Sequence, residues 1–139
     1  MSNKSFFTSL LSLFPFLSSA KKTAQPQIDE LESKINDLKT SMLSYRKEAE
    51  PSYSKKDVEK CVLILKEYLV QMAKTNSKEK GMAVVESTVM QLNELNDDCE
   101  GELIETGERE QIADIIILAG NKKGYNAVDE DVTEEWREW

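Results

Sequence analysis

Apolar residues return every three or four positions in several separate stretches of this chain, and that spacing limits what it can become more than any other feature. At about 3.6 residues per turn such positions fall on one side of a helix, whereas a half-buried strand would alternate strictly. The first regular stretch is Ile28, Leu31, Ile35, Leu38, Met42 and Tyr45, the a and d positions of a heptad. Between them Asp29, Glu30, Glu32, Lys34, Asp37 and Lys39 form a solvated face. The run is too short for a free coiled coil, so its stripe is expected to pack against the rest of the chain.

Pro51 ends that helix, because the residue before a proline is pushed out of the helical region. Ser54 then reads as an N-cap, with Asp57 near the positive end of the new helix dipole. Val58, Cys61, Val62, Leu65, Tyr68, Leu69 and Met72 make the next stripe, and Leu63 and Ile64 widen it, which predicts the centre of a bundle. Lys74 to Ser77 is a second break, with Ser77 as cap.

Two further stripes, Met82, Val85, Val89, Leu92 and Leu95, then Ile112, Ile115, Ile116 and Ala119, flank an acidic turn from Asn96 to Glu102 and read as a helical hairpin. Thr106 is the expected cap of the second, Glu108 and Glu110 favour its first turn, and Gly120 and Gly124 close it. Thr133 is expected to cap one last turn that puts Trp136 and Trp139 on the same side.

The spans predicted are 28–48, 55–74, 78–96 and 107–119. Only 5 Gly and 3 Pro occur in 139 residues, which speaks against a turn-rich all-β fold. The expected fold is therefore all-α, an irregular bundle of four to five helices forming one domain over 28–139, with a linker at 21–27.

Residues 1–20 form a separate segment that reads in two ways. Phe6, Phe7, Leu10, Leu11, Phe14 and Leu17 lie on one side of a helix and Thr8, Ser12, Pro15 and Ser19 on the other. Such an amphipathic segment could cover a core, dock on a partner, or rest weakly on a membrane surface through residues 6–17, but it is too short and punctuated to span one. If it is retained the chain is expected in the cytoplasm. The apolar run followed by Ser18, Ser19 and Ala20 also fits a cleaved secretory signal, which would make the chain an exported, periplasmic protein.

Charge narrows the function. The net charge is −8, yet residues 1–85 carry 14 basic against 10 acidic side chains while residues 86–139 carry 4 against 16. An acidic half of this kind repels phosphate backbones, so no nucleic-acid partner is expected. It attracts and steers a basic protein partner.

Histidine is absent, which removes the commonest general acid/base and the commonest transition-metal ligand. Cys61 sits in an apolar run and reads as a small buried hydrophobe. Cys99 lies among Asp97, Asp98 and Glu100, whose charge disfavours the thiolate. Ser and Thr nucleophiles lack an evident base, and no Gly-rich phosphate loop occurs. No enzymatic activity, cofactor or metal site is expected.

Two constellations invite chemistry nonetheless. With Asn96 at position 1, Asp98, Glu100 and Gly101 match the start of a calcium-binding helix-loop-helix, but Gly107 stands where the closing bidentate Glu belongs. Glu86, Glu94, Asp98, Glu105, Glu108 and Asp114 offer only the pairs Glu94 with Asp98 and Glu105 with Glu108 at helical spacing, both near helix ends, and read as solvated surface.

In the tail, Trp136 and Trp139 among six acidic side chains supply an aromatic anchor with an anionic rim, or else fold back to tie down the terminus. The expected function is a non-enzymatic protein-binding module, of the inhibitor or immunity type, contacting a basic partner through Asp97, Asp98, Glu100, Glu102, Glu105, Glu108, Trp136 and Trp139. The alternative is a membrane-peripheral or exported accessory protein anchored through residues 6–17.

Overall fold

Helical periodicity in the sequence becomes four helices in the computed structural model, which describes residues 30–139. Expectations for the N-terminal segment, the linker and Ile28 fall outside these residues. Helix α1 covers 30–49, α2 Lys55–Lys74, α3 Lys78–Asp98 and α4 Thr106–Lys122, with no strand among the described residues. The protein is all-α, as the spacing predicts.

Each helix turns its stripe to a common core. Leu31, Ile35, Leu38 and Met42 of α1 meet Val58, Cys61, Leu65, Tyr68 and Met72 of α2, Val85, Val89 and Leu92 of α3, and Ile112, Ile115 and Ile116 of α4 in one apolar cluster. Burying each large side chain fully stabilises the fold by roughly 1.5–3 kcal/mol before entropy is charged against it. Helix α2 packs against both α3 and α4. Within the core the Tyr68 hydroxyl donates to the Ile116 carbonyl of α4 at 2.7 Å. Outside it Lys34 of α1 pairs with Asp114 of α4 at 2.8 Å.

Two stripe positions differ from expectation. Leu63 is 58% exposed, so of the two residues expected to widen the stripe of α2 only Ile64 packs against the core, partly buried, and Tyr45 is 43% exposed near the end of α1. Periodicity reports which side of a helix is apolar; it does not report how far neighbouring helices reach around it.

The helix ends are set by local chemistry. Ser54 caps α2 as expected: its hydroxyl accepts from the Asp57 N–H at 3.3 Å while the Asp57 carboxylate accepts from the Ser54 N–H at 2.8 Å. Ser77 accepts from the Lys80 N–H at 3.2 Å. The cap of α4 is Glu105, not Thr106, because Glu108 reaches back to the Glu105 N–H at 3.1 Å. Helix α4 also continues past Gly120 to Lys122 and stops at Gly124, which adopts φ +79°. Gly120 serves packing instead: a Cβ there would strike the Asn126 side chain, which lies over the helix and donates to the Ile117 carbonyl at 3.0 Å.

Candidate functional site

From Gly81 to Glu108 the chain carries eight carboxylates (Glu86, Glu94, Asp97, Asp98, Glu100, Glu102, Glu105 and Glu108) and no Lys or Arg. This stretch comprises most of α3, the connection after it and the start of α4. Its helical spacing turns Val85, Val89, Leu92 and Leu95 inward and leaves Glu86, Met90, Glu94 and Asp97 exposed.

The α3–α4 connection is a tight helix stop. Gly101 donates to the Asn96 carbonyl at 2.8 Å, with Glu100 and Gly101 both at positive φ, 57° and 75°. Asn96, the first residue of the calcium-like pattern, turns inward, where its Oδ1 accepts from the Ile104 N–H at 2.9 Å. Among the described residues no group of three or more Asp, Glu or Cys is placed to hold a metal ion.

The acidic residues divide by what they do for the fold. Glu108 is engaged in capping α4, and Asp114 in the pair with Lys34. Asp57 is held below the usual carboxylate range, first by the backbone N–H of Ser54 and then by its hydroxyl. Asp131 is also held low: burial pushes it up, but the Thr133 hydroxyl and N–H, at 2.6 and 2.9 Å, and Arg137, at 3.2 Å, outweigh that. Of the expected contact residues, Asp97, Asp98, Glu100 and Glu105 are exposed and Glu102 is half-buried. Glu105 and Glu108 lie near Tyr53, whose hydroxyl is pushed up to about 12, first by burial and then by Glu108.

The thiols are protected. Cys61 is fully buried and pushed up to about 12, chiefly by burial; Cys99, 3% exposed, is raised to about 11 by burial and then by Asp57. Both stay protonated at neutral pH, which makes them poor nucleophiles.

The tail takes the inward of the two arrangements open to it. Trp136 and Trp139 are partly buried against the core, so the pair does not stand out as an anchor. The clamp that holds them was not anticipated from sequence. Asn93, 4% exposed, donates through Nδ2 to the Trp136 carbonyl at 2.9 Å and accepts through Oδ1 from the Glu138 N–H at 3.0 Å. One amide side chain thus satisfies two backbone groups of the tail, one at the end of the turn at 132–136 and one just beyond it. Arg137 reinforces this by pairing with Asp131, donating to the Trp139 carbonyl at 3.0 Å and resting 5.9 Å from the Trp139 ring centroid. The signal in the sequence was a polar residue beside the buried stripe of α3, at Asn93.

Between α3 and this clamped tail lies a shallow groove of about 430 Å³. Met90, 52% exposed, contributes to its lining, with Glu94, Asp97 and Glu138 around it. Only Asp97 was among the expected contact residues. No helix among the described residues is long and apolar enough to cross a membrane. Compared with protein-family models, with characterised proteins and with solved structures, the chain has no match.

Proposed function

We propose that this protein is a non-enzymatic binding module that covers a basic surface of a protein partner with the acidic face of α3 and the connection that follows. The observation that carries this reading is the run of eight carboxylates from Gly81 to Glu108 uninterrupted by any basic residue, several of them exposed. Exposed charges of one sign raise the encounter rate with an oppositely charged surface and penalise wrong partners. Inhibitor and immunity-type proteins that neutralise cationic enzymes rely on this physics. The raised thiols and the absence of histidine agree with a role in contact rather than catalysis.

The test begins with affinity capture of the full chain from its native cell, followed by association kinetics with the captured partner across ionic strength. A basic partner is expected, with association slowing as salt rises. Reversing Asp98, Glu100 and Glu102 to Lys should slow association on the order of tenfold and weaken its salt dependence. A partner whose association is indifferent to salt and to these reversals would remove the proposal.

A further inference from the structure

Helix α2 keeps two large apolar side chains out of the core. Leu63 and Val70 are each more than half exposed, although the rest of the helix buries its apolar residues wholly or in part. Being seven residues apart, they lie on one line along the helix, two turns or about 10.5 Å from each other. The residues that surround them on this outward arc, Glu59, Lys66, Glu67 and Lys74, are all charged and all exposed.

The order of those charges is self-complementary in one arrangement. Let α2 of a second copy lie antiparallel across the first, with the two-fold axis between Lys66 and Glu67. Leu63 of each copy then meets Val70 of the other, Lys66 meets Glu67, and Glu59 meets Lys74. Competing arrangements set like charges together. Centring the axis on Leu63 puts Glu59 against Glu67 and Lys60 against Lys66; centring it on Val70 puts Lys66 against Lys74; a parallel pair puts every charge against its own kind. A patch that can pair with itself about a two-fold axis closes on a dimer and goes no further.

We infer that the outward face of α2 is a dimer contact, covered by the same face of a second copy in antiparallel register about Lys66 and Glu67. Burial of Leu63 and Val70 supplies the drive, and the charges beside them select the orientation. Two leucines and two valines are few for an interface, so the dimer is a weak one. This face shares no residue with the acidic face of α3, and the inference therefore stands apart from the proposed function.

Sedimentation equilibrium of the full chain at physiological salt is the first test. A monomer–dimer equilibrium is expected, with Kd on the order of 0.1 mM. Leu63→Ser and Val70→Ser should each weaken it by roughly tenfold. Lys66→Glu and Glu67→Lys should each weaken it by about fivefold, whereas the two together restore the opposite-charge pairs and should return Kd to within about twofold of the unaltered chain. Helical circular dichroism checks that each variant remains folded. Orientation is read by disulfide formation under mild oxidation, with Cys61 and Cys99 buried and out of reach. Leu63→Cys mixed with Val70→Cys should cross-link readily, and neither should do so alone.

A chain that stays monomeric up to about 1 mM would overturn the inference. So would a dimer indifferent to these substitutions, or one in which Leu63→Cys links to itself as fast as to Val70→Cys. A monomer whose Leu63→Cys thiol resists a polar alkylating reagent would assign the face to another segment of the same chain, and would overturn it too.

Discussion

The carboxylates at the starts of α2 and α4 and those on the outward face of α3 come from the same acidic composition but meet different surroundings. Asp57 and Glu108 sit three residues into their helices, where unpaired N–H groups point back at them, and each closes a bond to its cap residue at 2.8 and 3.1 Å. Glu94 and Asp97 lie late in α3, where the N–H groups are already paired within the helix and the dipole is unfavourable to negative charge. The first set stabilises the fold; the second is left available for something else. Acidic residues are therefore better sorted by their position along a helix than by their number.

Substitutions can break that contrast, beginning with the residue that shapes the groove's second wall. Asn93→Ala removes two bonds to the tail and should cost about 2 kcal/mol in denaturant unfolding. The emission of Trp136 and Trp139 should shift to the red as the tail loosens; unchanged emission would mean that the clamp does not hold them.

Asp57→Ala should cost about 1 kcal/mol by opening the capping box of α2. Its contribution also depends on pH. The folded pKa lies below the ordinary 3.8, so the folded chain stays ionised while the unfolded chain takes up a proton. The stabilisation is complete above about pH 3.8 and is lost as pH falls through the lower folded value. An acid unfolding curve should therefore be shallower in the variant than in the unaltered chain.

Glu108→Ala opens only the return bond to Glu105, and a cost of about 0.5 kcal/mol is expected, read as a small drop in thermal midpoint. At the other extreme, Glu94→Gln, Asp97→Asn and Glu138→Gln together should leave stability within about 0.5 kcal/mol of the unaltered chain. A clear loss of stability from that set would show these carboxylates to be structural and erase the distinction.

Much of the helical framework was legible because the signals are local. Ser54 and Ser77 cap the helices they precede, and the apolar spacing marks the buried faces of α1 to α4. The misses came where two local signals competed. Thr106 is a good cap by residue type, but Glu105 takes the role because Glu108 lies at the right distance to complete it. Gly120 reads as a stop by residue type, yet the helix runs through it because Asn126 needs the space its missing side chain leaves. Of the expected contact surface, Asp97 lines the groove, Glu108 serves a cap, and the two tryptophans turn inward.

The sequence by itself determined the all-α class, the apolar faces and the segregation of charge, since each depends on residue type and on spacing within one or two helical turns. Tertiary structure alone decided that Glu138 comes to lie beside Glu94 and Asp97, and that one buried asparagine binds the tail that carries it. The reason is physical. Spacing along a helix fixes which side chains share a face, but which distant segments meet depends on how several apolar faces close over a common core, and no local pattern encodes that.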